Sequence, residues 1–467
     1  MEYSMVIDGR SVTTGQWDDV INPAKGEPFA QCPRGTQANV EEAVQAAARA
    51  FKTWRTDEAL RRQKLNECAA AIQGRVQDIA AVLSQEQGKP MTAAIGEVFG
   101  ASMWFSYYAN LQIEPETLQD DGEKTIKVVR KPLGVVAAIT PWNFPVILLS
   151  WKLAPAWLAG NTVVCKPSPY TPLTSLMVAD ILKSVVPPGV LNVLSGGNEL
   201  GATLAQHPLV RKISFTGSVA TGKKIMGYAV EDLKRITLEL GGNDPAIVLD
   251  DVDPKAVADG LFWGAFQNSG QVCTAIKRLY VHESVYDELC NELVAIAKST
   301  VVDDGAKQGT KLGPLQNKMQ YEKVKTFLED ARKNGKVVAG GSAMDRPGYF
   351  IEPTIVRDIQ EGSKLVDEEQ FGPVLPLIKY SDKNDAIRRA NATTYGLGAS
   401  VWSSDIKRAH DIASQIEAGT VWINKHLDMA PNIPFGGAKQ SGIGTEFAEE
   451  GLAEFTQLQI INGPPAA

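Results

Sequence analysis

The chain is poor in the residues from which disulfide frameworks and metal centres are built. It has five cysteines and four histidines in 467 residues, and the cysteines form neither C-x-x-C pairs nor ligand-like spacings with histidine. An odd, scattered set of this kind predicts free thiols in a reducing compartment and no structural metal. Cys68, Cys165 and Cys290 fall in apolar helical or strand patterns, so we expect them in the core.

Long apolar runs and a basic surface are also missing. No uninterrupted apolar stretch reaches the ~18 residues of a membrane span, and the N-terminus lacks the basic start of a secretory signal, so we expect a cytoplasmic protein. The net charge of −7 argues against nucleic acid or an anionic membrane as the main partner. A chain of 467 residues with 44% apolar residues predicts two or three globular domains.

Cys273 differs from the other cysteines in its surroundings. It follows the segment Asn268-Ser-Gly-Gln-Val, and Glu239 lies upstream in Leu-Glu-Leu-Gly-Gly. A thiol attacks as its thiolate, which is stabilised where a loop enters a helix N-terminus. We expect Gly270 and Gln271 to form such a loop just before Cys273. Taken alone, a free cysteine is more often a buried core residue.

Further polar residues stand at the ends of predicted strands. Pro141-Trp-Asn143-Phe-Pro145 follows an apolar run and predicts a rigid turn, whose asparagine amide can donate to an oxyanion. Lys166 ends another apolar run, and Gly217-Ser-Val-Ala-Thr-Gly222 follows a third. Taken singly, these segments are more typical of ordinary turns and solvated side chains than of a functional site.

Together with Asn22-Pro-Ala-Lys-Gly26 and Pro434-Phe-Gly-Gly, these motifs resemble the aldehyde dehydrogenase superfamily, nearly end to end. The resemblance implies NAD(P)-dependent oxidation of an aldehyde to a carboxylic acid. It implies Cys273 as nucleophile, Asn143 with the Cys273 N–H as oxyanion donors, and Glu239 as the base that activates water. Members that transfer the acyl group to coenzyme A generally lack this glutamate, so a free acid is the expected product.

The cofactor implied by the resemblance is NAD, although the chain has no G-x-G-x-x-G fingerprint. The wider Gly217–Gly222 spacing would place pyrophosphate at a helix N-terminus. NAD-preferring relatives often carry a glutamate three residues after the ribose lysine, where this chain has Pro169, so NADP is also allowed. The implied cofactor residues are Ile139, Thr140, Pro141, Trp142, Lys166, Ser168, Phe215, Thr216, Gly217, Ser218, Gly222, Leu240, Gly241, Glu369 and Phe371.

The positions that correspond to the family's substrate tunnel are mostly apolar, which favours an apolar or aromatic aldehyde. Lys425 and His426 leave a carboxylate-bearing semialdehyde as an alternative. A cysteine hydrolase and a non-catalytic structural member are alternatives of other classes. The implied substrate residues are Phe144, Trp151, Val272, Thr274, Met429 and Phe435, with Leu148 and Gln267 nearby and Leu148 more typical of the core.

The pattern of apolar residues predicts an α/β fold. Helical periodicity runs over residues 37–110, and short apolar runs then alternate with helical patterns, as in parallel sheets. By resemblance, residues 1–112 and 131–240 form a Rossmann-type NAD(P)-binding domain and 241–430 an α/β catalytic domain. Residues 113–130, read as a hairpin around Asp121-Gly122, and 431–467, with a strand at Leu452–Asn462, form a small β oligomerisation domain. We therefore expect a homodimer or homotetramer.

Overall fold

The computed structural model describes residues 2–112 and 115–465. Its first hundred residues hold short strands followed by the predicted helical layer. The helices bury an i, i+3, i+4 stripe that includes Val40 and Val44, and Thr36 caps the first of them. The four strands that precede the helices were not predicted. The elements are β1 (Met5–Ile7), β2 (Arg10–Val12), β3 (Trp17–Asn22), β4 (Glu27–Pro33), α1 (Gln37–Trp54), α2 (Glu58–Gln73), α3 (Val76–Gln87) and α4 (Met91–Asn110).

The next segment alternates strands and helices, as predicted. Strand–helix–strand units bury both faces of a parallel sheet, which explains why these strands read as continuous apolar runs. The elements are β5 (Glu116–Asp120), β6 (Thr125–Pro132), β7 (Val135–Ile139), α5 (Pro145–Leu158), β8 (Thr162–Lys166), α6 (Leu173–Leu182), β9 (Leu191–Val193), α7 (Asn198–Gln206), β10 (Val210–Thr216), α8 (Val219–Ala229) and β11 (Arg235–Glu239).

The second half of the chain repeats this alternation and ends in an extended tail. Its elements are β12 (Asp244–Val248), α9 (Pro254–Phe266), β13 (Ile276–His282), α10 (Tyr286–Ser299), α11 (Lys318–Asn334), β14 (Lys336–Ala339), β15 (Thr354–Arg357), α12 (Lys364–Asp367), β16 (Val374–Tyr380), α13 (Lys383–Asn391), β17 (Gly398–Trp402), α14 (Ile406–Ala413), β18 (Thr420–Ile423), β19 (Gly442–Ile443), α15 (Ala448–Ala453) and β20 (Thr456–Gly463).

Two large sheets organise the fold and confirm the predicted α/β class. The first has the order β19-β11-β10-β7-β8-β9-β1-β2, and its five central strands are parallel. The second has the order β14-β15-β16-β13-β12-β17-β18 and is parallel except for β14. In parallel sheets the loops that follow the strands meet at one edge, which is where ligands bind.

A third, small sheet has the order β20-β6-β5. The predicted hairpin is present, and the Asp121 carboxylate accepts the N–H groups of Glu123 and Lys124 at 3.0 and 2.9 Å to close its turn. The predicted strand at Leu452–Asn462 begins only at Thr456, because Leu452 still belongs to α15. Ile113 and Glu114 lie outside the described residues, as do residues 466 and 467.

The predicted domain boundaries stay a prediction. One pairing crosses them, because β19, within the segment 431–467 assigned to oligomerisation, pairs antiparallel with β11 of the first sheet. Within the described part of the chain, no helix is long and apolar enough to cross a membrane. The same residues hold no group of three or more His, Cys, Asp or Glu that could bind a metal ion.

Candidate active site

The carboxyl ends of four neighbouring strands of the first sheet bring the predicted polar residues together. Strands β11, β10, β7 and β8 lie side by side and end at Glu239, Thr216, Ile139 and Lys166. The other predicted cofactor residues on this sheet sit on the ends of these strands or in the loops that follow them. They are Thr140, Pro141, Trp142, Ser168, Phe215, Gly217, Ser218, Leu240 and Gly241, and Gly222 lies in the first turn of α8, which follows β10.

Two features of this edge fit a dinucleotide. The hydroxyls of Thr140 and Thr216 are buried without a hydrogen-bond partner in the described structure, although buried polar groups normally have one. The glycines leave no room for side chains, since a methyl group at Gly217 would lie 2.5 Å from Cζ of Phe215. Ser218 caps α8 by accepting the N–H of Thr221 at 3.3 Å, so the backbone donors of this helix start face the strand ends.

Lys166 is almost fully buried, with 3% of its surface exposed. Its Nζ donates to the Pro167 carbonyl at 2.9 Å, and burial lowers the pKa of Lys166 to about 8. The Lys166 stem lies against the first turns of α7, because a methyl group at Gly201 would be 3.3 Å from its Cδ. Glu199 on the same helix raises the pKa of Lys166, against the effect of burial. Glu199 was not predicted from the sequence.

Glu369 and Phe371 reach the site from the loop before β16. Oε1 of Glu369 accepts the Gly242 N–H at 3.1 Å and lies 3.6 Å from Nζ of Lys277. The Phe371 ring meets the Trp142 ring edge-on, with centroids 5.3 Å apart. These contacts join the second sheet to the edge of the first, which is the crevice where a nicotinamide riboside would fit.

Cys273 lies between a short 3₁₀ turn, Gln267–Gly270, and strand β13. The expectation that its loop enters a helix was wrong, since a strand follows the loop. Burial raises the pKa of the Cys273 thiol to about 12, although Lys277 counteracts it; the carboxylates of Asp244, Glu239 and Glu369 raise it further. Lys277 holds the loop by donating to the Val272 and Cys273 carbonyls at 3.0 and 2.6 Å. The partly exposed thiol therefore needs a base or a further positive charge to ionise.

Asn143 is buried and bonded directly to this loop. Its Nδ2 donates to the Gln271 carbonyl at 3.1 Å, two residues before Cys273. Its own carbonyl accepts from Lys89 Nζ at 2.9 Å and from Asn268 Nδ2 at 3.2 Å. The asparagine amide is therefore hydrogen-bonded to the loop that carries the thiol.

Glu239 is 3% exposed, and both carboxylate oxygens lack a hydrogen-bond partner in the described structure. Burial raises its pKa well above the usual range, the charge of Glu446 adds to this, and Lys152 opposes it. Lys152 Nζ lies 2.9 Å from Oε1 of Glu446 and donates to Ser214 at 3.1 Å. Sequence reasoning missed this pair. One sequence feature could have pointed to Lys152, because it is the lone charged residue in the otherwise apolar helix α5.

Two of the predicted substrate residues are joined by a third aromatic ring that was not predicted. Phe447 meets Trp151 edge-on at 4.5 Å and stacks on Phe435 at 5.6 Å between centroids. Leu148 is buried in the apolar core that surrounds the first sheet. Phe144 and Met429 are partly exposed and pack against this core, as Cys273 does. The remaining predicted substrate residues are Val272 and Thr274, both buried beside Cys273, and Gln267, which is exposed.

The two candidate cations for a substrate carboxylate are engaged elsewhere. Lys425 forms an ion pair with Asp428. Burial lowers the pKa of His426 to about 3, so its ring is neutral and its Nε2–H donates to the Thr274 carbonyl at 2.6 Å. Neither residue offers a free positive charge.

The comparisons with known proteins agree with this geometry. The sequence model of the aldehyde dehydrogenase family matches residues 12–461. The chain is 38% identical to aldehyde dehydrogenase LUC3 of Fusarium, over 98% of each chain. It is 40% identical to the chloroplastic aminoaldehyde dehydrogenase ALDH10A8 of Arabidopsis thaliana, covering 95% of this chain and 92% of that one.

Among solved structures, the chain resembles the NAD⁺ complex of an aldehyde dehydrogenase from Bacillus cereus, with TM-score 0.97, 34% identity, and coverage of 99% and 97%. It also resembles the betaine aldehyde dehydrogenase of Staphylococcus aureus, with TM-score 0.96, 33% identity, and coverage of 100% and 96%. The family match over nearly the whole length and the agreement in fold lead to one conclusion. This chain belongs to the aldehyde dehydrogenase family, whose members are NAD(P)-dependent oxidoreductases acting on aldehydes.

Proposed function

We propose that the protein oxidises an aldehyde to the free carboxylic acid through a covalent thioester on Cys273. The observation that carries this proposal is Glu239, a buried carboxylate with unpartnered oxygens and a raised pKa beside the thiol loop. A carboxylate whose pKa is raised in this way accepts a proton more readily than an ordinary glutamate does. Its presence favours hydrolysis of the thioester over transfer of the acyl group to coenzyme A.

In this mechanism the Cys273 thiol loses its proton to water, the thiolate sulfur forms a bond to the aldehyde carbon, and the carbonyl π electrons move to oxygen. The oxyanion accepts hydrogen bonds from the Asn143 amide and from the Cys273 N–H. The Asn143 amide also donates to the Gln271 carbonyl, whereas the Cys273 N–H donates to no other group in the described chain. One such donor contributes about 2.7–4 kcal/mol to lowering the barrier. Nicotinamide, if held between Glu369 and Phe371, would supply the acceptor for the hydride that leaves the former aldehyde carbon.

Glu239 then removes a proton from water as the water oxygen attacks the thioester carbonyl. The C–S bond breaks, the electron pair returns to sulfur, and the carboxylic acid leaves. The supporting geometry is that the Glu239 oxygens have no competing donor, so a water molecule can satisfy them.

The cofactor in this proposal is NAD, with NADP as the weaker alternative. Lys166 and Glu369 would hold the two ribose rings, and the α8 start with Ser218 would hold the pyrophosphate. Pro169 stands where NAD-preferring relatives often carry a glutamate. Glu199, in the first turn of α7, supplies another carboxylate close enough to raise the pKa of Lys166. That charge would repel a 2′-phosphate.

The substrate in this proposal is an apolar or aromatic aldehyde. The rings of Trp151, Phe435 and Phe447 form a continuous aromatic cluster, and aromatic faces bind apolar groups well. Lys425 and His426 offer no free cation, which counts against a carboxylate-bearing semialdehyde. Relatives include a retinaldehyde and a betaine aldehyde dehydrogenase, so large apolar and quaternary ammonium aldehydes belong among the substrates to be tested.

The proposed assembly is a homodimer or homotetramer in the cytoplasm. Strand β20 is an edge of the small sheet, and its Leu458, Ile460 and Ile461 are more than half exposed. An open edge with apolar side chains favours pairing with a second copy. The cytoplasmic location rests on the sequence, and three of the relatives are named as enzymes of other compartments, two chloroplastic and one peroxisomal.

The test is reduction of NAD and of NADP at 340 nm with hexanal, benzaldehyde, betaine aldehyde and succinate semialdehyde. We expect the highest kcat/KM with NAD and an uncharged aldehyde, and no turnover by Cys273→Ala although it still binds NAD. Glu239→Gln should give a burst of one NADH per site and slow turnover, because the thioester accumulates. Full activity of Cys273→Ala would refute the covalent mechanism, and preference for the semialdehyde would refute the substrate class.

A further inference from the structure

We propose that Lys89 and Glu97 are positioning residues that hold the segment Asn143–Ile147, and with it the oxyanion donor, against the Cys273 loop. This inference rests on the proposed function of Asn143. The two residues belong to the turn before α4 and to α4 itself, and neither was singled out by the sequence.

The pair binds both ends of one short segment. Lys89 Nζ donates to the Asn143 carbonyl at 2.9 Å, while Oε1 of Glu97 accepts the N–H groups of Val146 and Ile147 at 2.9 and 3.3 Å. Lys89 and Glu97 also form an ion pair with each other. A single charged pair therefore fixes the end of the Asn143 turn and the beginning of helix α5 together.

The burial of the pair points to a role in conformation. The side chains of Lys89 and Glu97 are only 1% and 2% exposed. A buried ion pair is weak evidence for stability, because well-packed apolar residues of similar volume are often equally or more stabilising. The Lys89 ammonium also lies 3.8 Å from the centre of the Phe144 ring. It therefore contacts three groups, which are the Glu97 carboxylate, the Asn143 carbonyl and the Phe144 ring.

The Asn143 carbonyl that Lys89 holds is also bonded to the thiol loop. Asn268 Nδ2 donates to this carbonyl at 3.2 Å, while the Asn143 amide donates to the Gln271 carbonyl at 3.1 Å. Movement of the backbone at Asn143 would therefore move its amide relative to Cys273. A misplacement of ~1 Å between reacting groups can cost about 10²-fold in rate.

Lys89 and the thiol loop also share one support. Gly88, in a left-handed conformation with φ of 94°, ends α3 and packs closely on Gly313. The carbonyl of Gly313 accepts from Ser269 Oγ at 2.7 Å, and three residues later the Gln316 N–H donates to the Gln271 side chain at 2.8 Å. The segment 313–316 thus sets the distance between the Lys89 turn and the loop that carries Cys273.

The experiment is a double-mutant cycle between Lys89→Met and Asn143→Ala, read as kcat, KM and the NAD dissociation constant from tryptophan fluorescence. We expect Lys89→Met to lower kcat 10- to 100-fold, with KM and NAD binding changed less than threefold. The double variant should be no slower than Asn143→Ala, because Lys89 acts only by positioning the donor that Asn143→Ala removes. Glu97→Gln, which keeps an acceptor for Val146 and Ile147, should lose less than Lys89→Met.

Arg61→Met is the matched control. Arg61 is also a buried cation that donates to backbone carbonyls, of Trp54 and Leu158, and it touches none of the proposed site residues. A comparable fall in melting temperature with kcat retained is expected for it. If Lys89→Met keeps full kcat, or if its loss multiplies with that of Asn143→Ala, the positioning role is wrong. If Asn143→Ala itself keeps full kcat, the proposed function of Asn143 has failed instead.

Should Lys89→Met not fold, Glu97→Gln takes its place in the same cycle, with Lys89→Arg as the charge-preserving variant. If Glu97→Gln lowers kcat in the wild-type protein but not in Asn143→Ala, the inference is supported. If it lowers kcat equally in both proteins, the inference is overturned.

Discussion

The Nζ atom of Lys277 donates to the backbone carbonyl of Cys273 at 2.6 Å and lies 3.6 Å from Oε1 of Glu369. One buried ammonium therefore links the thiol loop to the carboxylate on the opposite wall of the crevice.

Removal of this ammonium should make the thiol less reactive. Lys277 lowers the pKa of Cys273, so Lys277→Met raises that pKa and reduces the thiolate fraction at every pH below it. We expect alkylation by iodoacetamide at pH 8 to slow several-fold, because the thiolate is the form that reacts. Lys323→Met is the control, because the Lys323 Nζ donates to the Glu369 carbonyl at 2.9 Å and lies over the Phe327 ring, outside the thiol loop. Equal alkylation rates in Lys277→Met and wild type would contradict the prediction.

The pH dependence of thioester hydrolysis should follow Glu239. Its pKa is raised by burial, and the base works only when deprotonated, so hydrolysis should increase as pH rises through this pKa. Glu446→Gln removes a charge that raises the pKa and should move the acidic limb to lower pH. Lys152→Met removes a charge that lowers it and should move the limb to higher pH.

Stopped-flow measurement of acyl-enzyme decay between pH 5 and 9 checks these opposite signs. The double variant Lys152→Met/Glu446→Gln controls for the uncompensated charge that each single change leaves buried. A shift of both single variants in the same direction would show that their charges do not act on Glu239.

Cofactor preference should depend on Glu199. Glu199→Gln removes the carboxylate near Lys166 and should improve kcat/KM for NADP about tenfold, with little effect on NAD. Pro169→Glu should act in the opposite sense and weaken NADP binding. The dissociation constants of both cofactors, measured by fluorescence quenching, provide a readout independent of turnover. Glu41→Gln, on the surface of α1, is the control, and an unchanged NADP affinity in Glu199→Gln would exclude this role.

Assembly should depend on strand β20. Leu458 and Ile460 lie two residues apart and so share one face of the strand, where Ile460 is 56% exposed. Ile460→Glu places a charge on that face and should shift the mass measured by light scattering towards the monomer. Gln459→Glu adds the same charge on the opposite face and should leave the mass unchanged. An assembled Ile460→Glu protein would place the interface elsewhere.

The sequence predicted much of the site because of how parallel sheets are built. Asn143, Lys166 and Glu239 each follow an apolar run, and the ends of adjacent parallel strands meet at one edge. The two charges that shift the pKa of Glu239 could not be found in this way. Lys152 and Glu446 are 294 residues apart in the sequence and meet only through tertiary packing. The same holds for Phe447, which lies between Trp151 and Phe435.

The thiol environment was predicted wrongly for a local reason. Gly270 is typical of a loop that enters a helix, but Ile276–His282, which follows the loop, is a strand of the second sheet. Whether burial or a nearby charge dominates a pKa depends on side chains from several segments, which a local sequence pattern does not contain.

The edge of β11 is completed by a segment that lies about 200 residues further along the chain. Leu240 donates its N–H to the Ser441 carbonyl at 2.8 Å, Ser441 Oγ donates to the Gly241 carbonyl at 2.7 Å, and β19 pairs with Leu238 and Glu239. During translation the N-terminal parts of a chain fold first. Glu239 and Cys273 therefore leave the ribosome long before residues 441–447 enclose the carboxylate. Nascent chains that stop short of residue 441 should be inert, and removal of residues 438–467 should abolish hydrolysis as well as assembly.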